Sequence, residues 1–425
     1  MRIGLFTDTY HPSTNGIVVV VDIMRKQLEA LGHEVFIVAP AASLKWWHLP
    51  EHNVIRFAAL RGVFFQESSL NFFFPPKQYR RIQKLNLDAI VLFTPAQIGL
   101  MGAYSAIKSE IPLISQYSTD LPEYVQMYPG VMPGVLALYS TVPFTTKPTA
   151  KELAKITKQL LIKNNRDKPW STHSAEVMLT HLHNRCDAVI SVSPKVTKML
   201  KNWGTKSEIA TIPTGVDKGM ISQTAIQKLR KKYGLREEDQ LILYLGRVAE
   251  EKNIDLLVEA FPLVRATNKN AKLMIVGDFD YRQILEEKVK KMGISHSVIF
   301  TGKVPFAERW NYFALADVFA FPSLSDTQAL VVNEASLMGV PTVWCDKGVN
   351  EVLKHNVSGL LAMNNPVAFA GALLKLLNDK KLRTRLGKSA SARANNFSEL
   401  SQTKKFIRVL EKAIGRRSKA QGSRS

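Results

Sequence analysis

The sequence predicts an α/β protein made of two doubly wound parallel-sheet domains, and three observations carry that prediction. A chain of 425 residues exceeds what one ordinary core organises and suits two domains of about 200 residues each. Short apolar runs alternate with segments of helical periodicity: Arg2 to Thr7, then Val18 to Leu31 ended by Gly32, then Glu34 to Ala39. That order opens a parallel sheet with crossover helices. The alternation begins afresh at Leu241 to Leu245, so the pattern is written twice. A hydrophobic content of 46% with 22% charged residues belongs to a soluble, folded chain.

Bulk properties narrow the partners without choosing among them. Fifty-seven Lys and Arg against 36 Asp and Glu leave a net charge of +21. Such a field attracts nucleic acid, anionic lipid surfaces or polyphosphate ligands alike. The two cysteines, Cys186 and Cys345, form neither a disulfide framework nor a zinc spacing and fit a reducing cytosol. No run of about 18 apolar residues is present to span a bilayer, and the N-terminus reads as a strand rather than a signal peptide. The expectation is a cytoplasmic protein, able to lie on a membrane.

In the first domain, expected over residues 1–210, the loop from Asp8 to Gly16 joins strand to helix. A glycine just before a helix lets a backbone or a phosphate approach closely. Ala89 to Phe93 and Pro112 to Gln116 continue the strands, and Y-S-T-D-L-P-E-Y follows from Tyr117 to Tyr124. Asp187 to Ser193 is a further strand, Pro194 to Trp203 a helix, and Ile209 to Asp217 the crossing segment. Two stretches combine aromatics or helical periodicity with cations. Trp46, Trp47 and Phe72 to Phe74 precede Lys77, Arg80 and Arg81, and seven basic residues against two acidic ones lie between Lys147 and Lys168. A basic amphipathic helix there can lie among lipid headgroups, or be a soluble helix with a solvated lysine face.

In the second domain, expected over 211–398, the strand Leu241 to Leu245 runs into G-R-V-A-E-E-K-N. Arg247 and Lys252 thus follow a strand end, where open α/β sheets bind ligands. Two cations there can neutralise two phosphates. Leu273 to Asp278 and Val298 to Val304 are the next strands. The segment Ala320 to Val343 then reads as a strand end, a Ser-Leu-Ser-Asp loop, and a helix that starts near Thr327 with Asp326 as N-cap and stops at Gly339. Its free N–H groups can receive an anion. Asp326 and Glu334, eight residues apart, would share one side of that element. Two carboxylates beside an anion-accepting helix start suit a sugar phosphate; a capped helix with one solvated glutamate writes the same letters. Helices at Ala368 to Asn378 and Leu382 to Ala394 close the domain. Residues 399–425 are strongly basic, and Arg416 to Ser425 has no apolar face, so those ten residues are expected to be disordered.

S-D-T-Q-A-L-V-V-N-E-A-x-x-x-G-V-P resembles the E-x7-E segment of retaining GT-B glycosyltransferases, the family 4-like group that includes sucrose synthases, mannosyltransferases and bacterial diacylglycerol glucosyltransferases. The T-Q-A-L variant is most like the last of these. G-R-x3-E-K-N, the N-G of Asn15 and Gly16, and N-x-x-G-L-L ending at Leu361 match other segments of the family. Two positions depart: Asp326 replaces the first glutamate of the motif, and Ser118 stands where relatives carry a histidine that contacts the transferred sugar, which brings in Asp120 as a neighbouring candidate.

The resemblance implies a GT-B fold, two Rossmann-like domains facing a central cleft, with the last helix crossing back to the first. It implies a donor site of Gly16, Arg247, Lys252, Thr327, Gln328, Ala329 and Leu330, with Asp278 and Val304 where relatives cradle the base. Asp326, Glu334, Ser118 and Asp120 would be the catalytic set serving the donor sugar, with Glu334 where relatives bind the donor ribose, and Lys151, Lys155, Lys158, Trp46 and Trp47 would serve the membrane. The reaction implied is metal-independent, retaining transfer of a hexose, expected to be glucose, from UDP-glucose or GDP-mannose to a membrane lipid such as diacylglycerol. The departing phosphate would take the acceptor's proton. The nucleotide sugar is a co-substrate, no further cofactor and no nucleic-acid partner are expected, and the enzyme would sit peripherally on the inner face of the cell membrane. Two alternatives are a GDP-mannose-dependent α-mannosyltransferase acting on a phosphoinositide or soluble glycan, and a non-catalytic basic membrane or nucleic-acid binder on the same scaffold.

Overall fold

The computed structural model describes all residues except 14, 42–51, 58–59, 62–68, 71–75, 128–145, 147, 162–168 and 423–425. Trp46, Trp47, Phe72 to Phe74, Lys147, Lys163, Arg166 and Lys168 therefore lie outside the described residues. Two compact units divide the chain: Met1–Pro213 with Glu399–Ser425, and Thr214–Ser398.

The first unit holds β1 (Arg2–Phe6), β2 (Glu34–Pro40), β3 (Val54–Phe57), the short antiparallel pair β4 (Leu60–Arg61) and β5 (Ser69–Leu70), then β6 (Ala89–Leu92), β7 (Leu113–Tyr117), β8 (Ala188–Ser191) and β9 (Glu208–Thr211). Seven strands form one sheet in the order β3-β2-β1-β6-β7-β8-β9, every neighbour parallel. Parallel neighbours need crossovers, supplied by α1 (Gly16–Ala30), α2 (Pro76–Gln83), α3 (Gln97–Ser109), α4 (Leu121–Met127), α5 (Ala150–Leu161), α6 (Trp170–His183) and α7 (Pro194–Trp203). The central strands are apolar along their whole length because both faces are covered: Ile3, Leu5, Ala89, Ile90 and Val91 are fully buried. Strand order reverses between β1 and β6.

The second unit repeats the plan with β10 (Gln240–Leu245), β11 (Ala271–Val276), β12 (Val298–Gly302), β13 (Val318–Phe321), β14 (Thr342–Trp344) and β15 (Gly359–Leu361). Its helices are α8 (Gln223–Lys232), α9 (Ile254–Thr267), α10 (Arg282–Lys291), α11 (Arg309–Leu315), α12 (Leu330–Leu337), α13 (Pro366–Asn378) and α14 (Lys380–Ala394). The parallel order is β12-β11-β10-β13-β14-β15, so the reversal falls between β10 and β13. Beyond β10 and β11 the backbones nearly touch: a Cβ on Gly277, whose φ is +134°, would come within 1.9 Å of the Gly246 carbonyl oxygen. Only glycine fits there.

Two expectations are corrected. Arg416 to Ser425 was expected to be disordered, yet α15 (Glu399–Gly422) continues as helix to Gly422. The apolar stripe of Phe406, Leu410 and Ala413 is buried, and charge replaces it further on. The Arg417 guanidinium donates to both oxygens of Asp187 at 2.8 and 3.0 Å, while Lys412 and Arg416 pair with Glu208. Composition alone hides such partners, more than two hundred residues distant in the chain. The second correction concerns α12. It begins at Leu330 rather than near Thr327, and its N-cap is Ala329, not Asp326.

Candidate active site

β10 and β13 are hydrogen-bonded neighbours, so the loops leaving their C-terminal ends meet. Several side chains stitch them together. Asn253 donates to the Pro322 carbonyl at 3.0 Å and to Asn364 at 2.9 Å, and the Ser325 hydroxyl donates to the Glu251 carbonyl at 3.0 Å. The Lys252 ammonium lies 2.9 Å from Asp326 Oδ1, and the Ser323 hydroxyl donates to Asp326 Oδ2. Asp326 stands three residues before the Ala329 cap of α12, and its carboxylate is held across the switch point instead. Burial pushes the Asp326 carboxyl up, but the Lys252 charge, the Ser323 hydroxyl and Arg247 together outweigh it and hold the group below its usual range.

Arg247 is half exposed and bridges to Glu251 at 2.9 Å, with its guanidinium over the Phe279 ring. The buried Tyr244 hydroxyl donates to the Arg247 carbonyl at 2.8 Å, fixing the backbone from which the guanidinium projects. Two cations are thus presented at one strand end, each already beside a carboxylate. A diphosphate offers more negative charge and more acceptor oxygens than either carboxylate, so it competes well for them.

Ala329 adopts the left-handed conformation, φ 58° and ψ 72°, which costs a residue with a Cβ roughly 1 kcal/mol. A buried amide network holds it. Gln328 accepts from the Thr214 N–H and donates to the Thr214 carbonyl, both at 2.9 Å. Asn350 donates to the Gln328 carbonyl at 2.7 Å and to Asn333 at 2.6 Å. The Gln328 side chain is therefore tied to Thr214, and the expected donor contact falls to its backbone with those of Thr327, Ala329 and Leu330. Among the described residues no side chain of the N-cap residue closes the start of α12.

Glu334 lies one turn into α12 and is buried. Its Oε1 accepts from Arg309 Nε at 2.8 Å, whereas Oε2 is buried without a partner among the described residues. Burial raises its pKa and the Arg309 charge opposes that rise. Because Asp326 precedes the helix, the eight-residue spacing does not set both carboxylates on one helical face, correcting that expectation. Asp278 accepts from the Phe279 N–H and from Arg282 at 3.0 and 3.4 Å. Val304 is half-buried against the apolar core below.

In the first unit, Gly16 opens α1, and a Cβ there would meet nothing within 4 Å. Asn15 caps that helix, accepting from Ile17 and Val18 at 3.1 Å. Ser118 and Asp120 follow β7, and Asp120 accepts from the Glu123 N–H at 3.3 Å, capping α4. Lys151, Lys155 and Lys158 are exposed on α5, with Ile156 buried beneath them. Sequence reasoning passed over Asp8, Arg309 and Asn350. Asp8, a carboxylate at the end of the first strand, carried a local signal; the other two are identified only by partners 17 to 25 residues away.

Two doubly wound parallel units define the GT-B class of glycosyltransferases. The solved structure of Anabaena Alr3699/HepE in complex with UDP-glucose matches with a TM-score of 0.69 at 18% identity, covering 97% of this chain and 100% of that one. Sucrose-phosphate synthase from Thermosynechococcus elongatus matches equally in fold, with a TM-score of 0.69 at 17% identity, over 97% of this chain and 99% of that one. Residues 14–219 match Glycosyltransferase Family 4 and residues 225–393 match Glycosyl transferases group 1, and the chain belongs to this family of glycosyltransferases. Alpha-monoglucosyldiacylglycerol synthase of Streptococcus pneumoniae is 28% identical over 383 residues, 89% of this chain and 78% of the relative. A GDP-mannose-dependent alpha-(1-6)-phosphatidylinositol monomannoside mannosyltransferase of Mycobacterium tuberculosis is 30% identical over 261 residues, 58% of this chain and 68% of the relative.

Proposed function

We propose that the protein is a retaining glycosyltransferase that moves glucose from UDP-glucose to a membrane lipid acceptor such as diacylglycerol. The observation that carries this reading is the pair of bridges Lys252–Asp326 and Arg247–Glu251 at the switch point of the second unit. In it, Arg247, Lys252 and the backbone at the start of α12 receive the diphosphate and stabilise it as the leaving group. Asp326 and Glu334 then accept hydroxyl hydrogen bonds, and the departing phosphate takes the acceptor's proton during same-face attack. The charge on the leaving group is met by the protein's own cations, so the reaction is proposed to run without a metal or further cofactor. The likeness to the pneumococcal synthase favours a diacylglycerol-type acceptor, and the exposed lysines of α5 favour an anionic membrane surface, on the cytoplasmic side where sugar nucleotides are available. Among the described residues no helix is long and apolar enough to cross a membrane.

The mycobacterial relative, whose name specifies GDP-mannose and a phosphatidylinositol mannoside, favours a second reading, a mannosyltransferase on a phosphoinositide. Incubation with radiolabelled UDP-glucose or GDP-mannose, together with mixed lipids, separates the two. Label entering the lipid phase from UDP-glucose supports the first reading and label from GDP-mannose the second. No transfer from either refutes both.

A further inference from the structure

Arg309 belongs to no motif and stands at the start of α11, yet it is built into the candidate site. Its Nε donates to Glu334 Oε1 at 2.8 Å, and both side chains are nearly buried, 12% and 5% exposed. Its Nη1 donates to the Phe306 carbonyl at 2.6 Å. The guanidinium carbon lies 3.5 Å from the centre of the Phe306 ring and 4.7 Å from that of Trp310. A hydrogen bond to its own turn and two aromatic faces leave the guanidinium a single position. A lysine could supply the charge there but not the planar stacking.

The consequence falls on Glu334. Arg309 holds Oε1, and Oε2 is left buried with no donor among the described residues. A buried carboxylate oxygen without a donor is costly, and a ligand hydroxyl arriving at Oε2 removes that cost. We infer that Arg309 is a positioning residue of the donor site, which fixes one oxygen of Glu334 so that the other is offered to a hydroxyl of the nucleotide sugar. This rests on the donor-site reading given above.

Removing the guanidinium has a signature that mere loss of packing lacks. Arg309 is the only charged group that shifts Glu334 among the described residues, so without it burial acts unopposed and the carboxyl protonates at higher pH. A protonated Glu334 loses its charge-assisted acceptor strength. Titrating the parent and the Arg309→Gln variant with UDP and with GDP by calorimetry, between pH 5.5 and 8.5, reads this directly. The expected result is that the acid limb of nucleotide affinity moves upward by about one pH unit or more in Arg309→Gln, the size of shift a neighbouring arginine imposes on a carboxyl. Arg309→Lys should recover most of the parent profile, and the double variant Arg309→Gln with Glu334→Gln should lose the limb altogether. Should Arg309→Gln not fold, the lysine and double variants still carry the test. A parent that binds neither nucleotide overturns the donor-site reading and this inference with it. A parent that binds, with variants that weaken binding equally at every pH, overturns the inference alone.

Discussion

The two units share one topology and differ at the place where it reverses. In the first unit the reversal lies between β1 and β6, and side chains of the chain itself occupy it. Asp8 accepts from the Ile98 N–H at 2.6 Å, the Gly99 N–H at 3.3 Å and the Thr94 hydroxyl, so a carboxylate already sits at the start of α3. Asn15 does the same for α1. In the second unit the corresponding helices, α9 and α12, start without a side-chain cap from Asn253 or Ala329. Two cations, Arg247 and Lys252, stand beside them. A helix start attracts an anion wherever it occurs; one unit meets that position with Asp8 and Asn15, and in the proposed reading the other receives a ligand there. Fold gives both units the same location, and in the proposed reading a handful of side chains decides which one takes a polyanion.

The comparison breaks most readily at Glu334. Glu334→Gln should lower turnover by tenfold to about a hundredfold, the range for losing one charge-assisted hydrogen bond, measured as label transferred to lipid. Asp326→Asn should cost less, because Asp326 is already committed to Lys252. Equal or reversed losses mean that the wrong carboxylate has been given the larger role.

The first unit offers a sharper test through pH. Burial raises Asp8 from an ordinary 3.8 to about 6, against its hydrogen bonds. A raised carboxyl contributes stability that is present at low pH and lost as pH rises through about 6. His183 is buried, with neither ring nitrogen partnered among the described residues, and burial lowers it from 6.5 to about 4. Its contribution has the opposite sign, being lost as pH falls from 6.5 towards 4. Each is worth on the order of 3 kcal/mol, so the two largely cancel in the parent. Thermal unfolding of Asp8→Asn should show stability rising with pH between 4 and 6.5, and His183→Phe should show it falling. Parallel profiles in both variants would contradict this assignment.

Smaller effects follow on the surface. Changing Lys151, Lys155 and Lys158 together to Gln should reduce binding to anionic vesicles and leave nucleotide affinity intact, since each basic residue near such a bilayer contributes about 1 kcal/mol. Unchanged sedimentation with vesicles means α5 is a solvated helix and nothing more. Smallest is Ala329→Gly, which should raise stability by up to about 1 kcal/mol by removing a Cβ from a left-handed residue.

The legible part of the molecule is what neighbours in the chain decide. Strand and helix alternation, the strand-end cations Arg247 and Lys252, and the N-G before α1 were readable because each depends on a few adjacent residues. The start of α12 was misread for the same reason: Asp326 has the chemistry of an N-cap, and only a lysine 74 positions away draws it elsewhere. The Gln328 side-chain amide bonds Thr214, 114 residues distant, a partner that neighbours in the chain do not reveal. Arg309 gave no signal, since its pairing with Glu334 spans 25 residues of chain.

The central claim is that the second unit's switch point holds a nucleotide diphosphate and the first unit's does not. Calorimetric titration of UDP into the parent, Arg247→Ala, Lys252→Ala and Asp8→Asn tests it most directly. Loss of a charged hydrogen bond predicts roughly tenfold or greater weakening in each cation variant and unchanged affinity in Asp8→Asn. Parental affinity in both cation variants, or a loss confined to Asp8→Asn, would contradict it.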